Sequence, residues 1–260
     1  MKNNEYKILV LSNLNETTNK ILKSSVSLAK IVDTNINFLY VKKPTEVVSN
    51  ENQLSAMRAI NSEYIATDKK MKDLITPIAN KYNVAINHSF VIGNVKNEIE
   101  KYIEDNQPDI VILGKRKPKT VSFMGDNITQ FILKKHKGII VIADDKNTLD
   151  PNEELSLGLL NNVKSINKLT KDIISSTKKP LTSFKTTKDA EILDEESLFK
   201  DKETIQYVFD KADNSLKDIS NYLLKSNTNL LFVDRENINS IKSNINDLIK
   251  NIDCSLILTT

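Results

Sequence analysis

The residues most able to do chemistry lie in the stretch "GKRKPKTVSFMGDNITQF", from Gly114 to Phe131. It follows the apolar run "DIVILG" and precedes a segment of helical spacing. A glycine-flanked loop between a strand and a helix can turn backbone N–H groups toward a phosphate, and the helix N-terminus adds a favourable field. This loop also carries Lys115, Arg116, Lys117 and Lys119, which could hold an anion by charge. The competing reading is a solvated basic loop that binds nothing. Pro118 stiffens the stretch and removes one donor.

The other chemically able side chains are isolated. His88 sits in an alternating strand, and His136 closes a helix, where it reads as a C-terminal charge. Neither has a Cys, His or carboxylate at metal-ligand spacing. Cys254 lies in an apolar strand and reads as buried and inert. Asp194, Glu195 and Glu196 form an acidic cluster that reads as a solvated loop. No Ser–His–Asp, Cys–His or HExxH arrangement is present. The expectation is a protein without a catalytic centre or metal.

Elements must position the loop. "YKILVLS" (6–12) reads as a buried strand. Ile21, Leu22, Val26, Ala29 and Val32 then recur at helical spacing, with Asn15 or Thr17 as cap. "INFLYV" (36–41) is a second strand. Residues 54–82 read as a long helix that Pro77 kinks or interrupts. "AINHSFVIG" (85–93) is a strand. Residues 94–106 form a helix whose Val95, Ile99, Tyr102 and Ile103 share a face. "DIVILG" (109–114), a helix over 126–136 and "GIIVIA" (138–143) complete the pattern. Strands alternating with helices, several of them continuously apolar, predict an α/β fold with an open parallel sheet. Ligands of such sheets bind beyond the carboxyl ends of the strands.

The pattern then restarts. "DDKNTLDPNEE" (144–154) is polar and contains Pro151, and it reads as a linker. At an offset of 120, Ile99, Tyr102, Ile103, Ile110 and Val111 fall on Ile219, Tyr222, Leu223, Leu230 and Leu231. At an offset of 117, Ile128, Phe131, Ile132, Ile139, Ile140 and Val141 fall on Ile245, Leu248, Ile249, Leu256, Ile257 and Leu258. "LSLGLLNN" (155–162) echoes "KILVLSN". The Tyr102 and Tyr222 pair reads as packing. The repeat predicts two homologous domains, 1–145 and 155–260, joined by a linker over 146–154. The second is shorter and lacks the long helix, with the acidic stretch 189–203 in its place.

Bulk properties bound the class. Hydrophobic residues make up 39% and charged residues 27% of 260 residues, as in a folded globular chain. A net charge of +3 does not argue for a nucleic-acid partner, which would want a basic face. A single cysteine allows no disulfide within the chain and suits a reducing compartment. The N-terminus does not read as a signal peptide, and no apolar run approaches the ~20 residues of a membrane span. The expected location is the cytoplasm, with neither nucleic acid nor membrane as partner. Four of the five glycines fall between Gly93 and Gly138, around the loop.

Three stretches resemble the universal stress protein family: "ILVLSNLNETTNKILKSSVSLAK", "GNVKNEI" and "DIVILGKRKPKTVSFMGDNITQFILKKHKGIIVIA". The resemblance covers residues 6–143 well and 155–260 weakly. It implies a tandem member whose domains pair through their last strands, "GIIVIA" and "CSLILT". It also implies a nucleotide site built on G-x-x-G, nine residues, then G-[ST], with an acidic residue after the first strand and main-chain contacts after the second. Gly114 matches the first glycine, but Lys117 stands at the second. Gly125 matches the third only if the loop is two residues shorter. Asp126 replaces the Ser/Thr, where a carboxylate repels phosphate and can cap the helix instead. Asn13 stands at the acidic position, and Val41 is compatible with main-chain contact. The second domain's loop, "DRENINSIKSN", has no glycine. The resemblance therefore implies a regulatory stress protein, non-enzymatic and acting through protein partners or self-association, with no cofactor and a degenerate site at Asn13, Val41, Gly114, Lys115, Arg116, Lys117, Gly125 and Asp126. The alternative is a module that binds ATP or another nucleotide through residues 114–126 and hydrolyses it weakly.

Overall fold

The computed structural model describes residues 6–48, 52–115, 127–160, 168–186, 202–209, 215–235 and 245–259. The first half runs β1 (Ile8–Leu11), α1 (Thr18–Ile31), β2 (Ile36–Lys42), α2 (Gln53–Tyr82), β3 (Ile86–Ile92), α3 (Val95–Asn106), β4 (Ile110–Gly114), α4 (Ile128–Lys135) and β5 (Ile139–Ala143). The second half runs β6 (Leu157–Leu160), α5 (Lys168–Ser175), β7 (Leu181–Thr186), β8 (Thr204–Phe209), α6 (Ser215–Lys225), β9 (Leu230–Asp234), α7 (Ile245–Asn251) and β10 (Ser255–Thr259).

All ten strands join one sheet in the order β3-β2-β1-β4-β5-β10-β9-β6-β7-β8. Within each half every pairing is parallel, and the strand order 3-2-1-4-5 recurs in the second half as 8-7-6-9-10. The halves meet where β5 and β10 pair antiparallel: Ile142 faces Leu256, Val141 faces Ile257, and Ile140 faces Leu258. The chain thus folds as two tandem parallel α/β units, the second shortened. Helices α1, α2 and α5 cover one face of the sheet, around Ile8, Phe38, Met71 and Phe232. Helices α3, α4, α6 and α7 cover the other, around Leu9, Ile99, Ile132 and Leu248.

The strand registers correct one offset. Ile8 of β1 pairs with Ile110, and Leu157 of β6 pairs with Leu230, so the offset of 120 holds at the fourth strand. The next partner is Ile139 in one half and Ser255 in the other, an offset of 116 rather than 117. Ile140 is therefore equivalent to Leu256, and both pack on the same face. An offset of 117 would match Ile140 to Ile257, which faces the other way. With 116, the β5–β10 pairing maps onto itself around Val141 and Ile257, as a pseudo-two-fold requires.

Local signals account for several helix starts. Asn94 accepts hydrogen bonds from the N–H groups of Lys96 and Asn97 and caps α3. At α1 the capping oxygen belongs to Asn15, which accepts from Thr17 N at 3.1 Å, while the Thr17 side chain makes no cap bond. Pro77 does not interrupt α2, which runs unbroken for 30 residues. Ile75 and Ile78, on either side of the proline, are both buried, so packing outweighs the lost backbone bond. The segment 144–154 is not a loose tether. Leu149 is fully buried, its N–H donates to Ser24 Oγ at 3.2 Å, and Asp144 accepts from the N–H groups of Lys146 and Asn147. The cluster Asp194, Glu195 and Glu196 lies outside the described residues.

Candidate functional site

Three of the candidate residues leave the same edge of the sheet. Leu11 pairs with Leu39 on one side and Leu113 on the other. Asn13, Val41 and Gly114 follow within two residues on these strands, so all three stand at the carboxyl ends of β1, β2 and β4. Asn13 is exposed. Leu14 beside it takes a left-handed backbone, φ 53°, which turns the chain into α1. Val41 is half-buried and packs with the α3 side of the sheet. Arg116, Lys117, Gly125 and Asp126 lie outside the described residues, as do Pro118, Lys119 and the second-half loop beyond Arg235.

Gly114 has a packing reason to be glycine. A Cβ there would stand 2.4 Å from Cδ1 of Ile21, because α1 closes directly over the end of β4. The glycine therefore fits a close helix–strand approach without reference to any phosphate.

Lys115, the first basic residue of the loop, has protein partners. Its Nζ donates to the carbonyl oxygen of Ile252 at 2.6 Å. It also lies 3.6 Å from Asp144 and 3.5 Å from Asp253, with its side chain only 12% exposed. The side chain thus runs past the carboxyl end of β5 into the joint between the halves. There the carbonyl past α7 and two carboxylates offset part of the cost of burying the cation. Burial works against ionisation of Asp253, but the hydrogen bond from Lys146 and the charge of Lys115 hold its carboxyl below the ordinary range.

One charged group at this edge was not singled out from the sequence. Lys42, the last residue of β2, pairs with Glu63 of α2 at 2.6 Å, and Thr67 Oγ1 donates to the same carboxylate at 2.9 Å. The hydrogen bond from Lys42 lowers the Glu63 pKa and the same bond raises that of Lys42. Lys42 shares the α2 face with Phe38 and Tyr40 by the period-two rule, and that alternation was the available clue.

The histidines and the cysteine sit elsewhere. His88 Nε2 lies 2.9 Å from Asp68. His136 is not a solvated helix-end charge. It is buried, and burial, with the nearby Arg235 charge, pushes its pKa down. Its neutral form is therefore favoured in the folded state. The unfolded chain takes up this proton near pH 6.5 and the folded chain only at lower pH, so stability is full above that pH and is lost as pH falls below it. Urea midpoints of wild type between pH 7.5 and 5 should fall more steeply than those of His136→Leu; equal slopes would contradict this. Cys254 is fully buried, and burial pushes its thiol pKa up, so it stays a thiol. Among the described residues no three His, Cys, Asp or Glu side chains group as a metal site. No helix among them is long and apolar enough to cross a membrane.

Residues 6–137, just over half of the chain, match the model of the universal stress protein family. The chain belongs to that family. A universal stress protein from Archaeoglobus fulgidus DSM 4304 superimposes with a TM-score of 0.70 at 15% identity, over 98% of this chain and 96% of that one. A putative universal stress protein from Pseudomonas aeruginosa UCBPP-PA14 does so with a TM-score of 0.55 at 8% identity, over 98% and 94%. A universal stress protein solved in complex with cAMP covers 54% of this chain and 98% of its own, at 10% identity and a TM-score of 0.35. No curated protein matches the sequence.

Proposed function

We propose that this chain is a tandem universal stress protein that acts in the cytoplasm as a non-enzymatic regulatory protein, through protein partners or self-association. Its domains are residues 1–145 and 155–260, with 146–154 between them. Its nucleotide site, at Asn13, Val41, Gly114, Lys115, Arg116, Lys117, Gly125 and Asp126, is degenerate. The observation that carries this reading is the placement of Lys115. The one cation of the loop within the described residues is tied to Ile252 O, Asp144 and Asp253. Asn13 brings no carboxylate to the strand edge, and in the sequence an aspartate, Asp126, replaces the Ser/Thr of the family's loop.

A second reading, a nucleotide-binding and weakly hydrolysing module, is supported by one feature: Asn13, Val41 and Gly114 share one strand edge, where open α/β sheets hold ligands. A thermal-shift titration with millimolar ATP, ADP, AMP and cyclic dinucleotides, with and without magnesium, separates the two. A ligand at ~100 times its dissociation constant adds about 2.7 kcal/mol of stability. That moves the midpoint by several degrees in units of this size. The expected result is no shift. A shift that an Arg116→Ala, Lys117→Ala double substitution abolishes would establish the second reading.

A further inference from the structure

The basic residue after the fourth strand of each half crosses to the other half. Lys115 follows β4, Arg235 follows β9, and the offset of 120 makes them equivalent. Their backbones are tied alike: Lys115 N donates to Ala143 O at 2.8 Å and Arg235 N to Thr259 O at 3.0 Å. Their side chains then pass over the β5–β10 joint in opposite directions. Lys115 Nζ donates to Ile252 O at 2.6 Å, one residue past the end of α7. Arg235 donates from Nη1 to His136 O at 3.1 Å and from Nη2 to Gly138 O at 2.7 Å, just past the end of α4. His136 and Ile252 are themselves equivalent by the offset of 116.

The last turn of a helix presents carbonyls without N–H partners and a partial negative charge, and a cation placed there satisfies both. Here each cation serves a helix that its own half does not contain. Asp144 and Asp253 keep the Lys115 side near neutrality, and Lys146 pairs with Asp253 at 3.0 Å to complete it.

We propose that Lys115 and Arg235 form a reciprocal latch across the β5–β10 joint, in which the cation of each half orders the closing helix of the other. The latch does not depend on nucleotide binding.

Hydrogen exchange on the full chain tests this through its crossed pattern. Lys115→Met keeps the length of the side chain and removes the charge. It should speed exchange about tenfold or more over residues 245–257, in the half that was not altered, and less over residues 128–135. Arg235→Met should do the reverse, speeding exchange over residues 128–141, and its effect should be the larger because the guanidinium donates to four carbonyls of the first half, Leu133, His136, Lys137 and Gly138. If Arg235→Met does not fold, Arg235→Lys serves: it keeps the charge, cannot reach all four carbonyls, and should give the same pattern at smaller amplitude. Peptides from β1 and β2 should exchange as in wild type in every variant. Faster exchange confined to the altered half, or none in either, overturns the latch.

Discussion

Gly138→Ala is expected to cost about 3 kcal/mol, at the upper end of what overpacking does. A Cβ at this position would lie 2.5 Å from the backbone oxygen of Asp109 and 2.6 Å from Nε2 of His136. Neither neighbour can retreat. The Asp109 oxygen is held by Ile139 N at 2.9 Å, and the His136 ring is buried under the same turn. The Gly138 oxygen in addition receives Arg235 Nη2 at 2.7 Å, so a displaced backbone also disturbs the contact from the second half. Denaturant unfolding of the purified variant reads the loss directly. A stability within about 0.5 kcal/mol of wild type, the range of a neutral surface change, would show that the turn adapts.

Phe232→Ala should cost about 3–5 kcal/mol, the range for removing a fully buried aromatic ring. Phe232 has no exposed surface and lies mid-strand in β9, in register with Ile257 on one side and Leu159 on the other. The cavity would open under α5, whose eight residues bring Leu169, Ile173 and Ile174 to the same cluster. Because β10 also pairs with β5, the loss should spread to the first half rather than stay local. Calorimetry on the full chain should therefore show one transition at a lower midpoint. A first-half transition at the wild-type midpoint would contradict this.

Much of the first half was legible because its amphipathic helices and buried strands obey their periods. The face Val95, Ile99, Tyr102 and Ile103 of α3 is the face that packs. The second half was harder for identifiable reasons. β7 carries Ser183 and Lys185 at buried positions where β2 has Phe38 and Tyr40, and no alternation marks it. β8, "TIQYVF", is an edge strand whose Ile205 and Val208 are 44% and 50% exposed, so its apolar residues do not separate by face. The offset of 117 failed because β5 and β10 are apolar on both faces, and a continuous apolar run holds no information about parity. Only hydrogen-bonded pairing decides it. The fate of Lys115 was illegible for a different reason. Its partners Asp144, Ile252 and Asp253 lie 29 to 138 positions away in the sequence, and composition cannot distinguish a cation that meets phosphate from one that meets a carbonyl.

The pseudo-two-fold passes between Val141 and Ile257. When two identical chains meet across such an axis, every substitution is made twice, and each residue must tolerate its own copy. Joining the halves in one polypeptide removes that condition. A lysine, Lys115, reaches across one side of the axis and an arginine, Arg235, across the other, a difference of residue type that no homodimer could hold. Each half is then free to vary alone, and a loop lost in one need not be lost in the other.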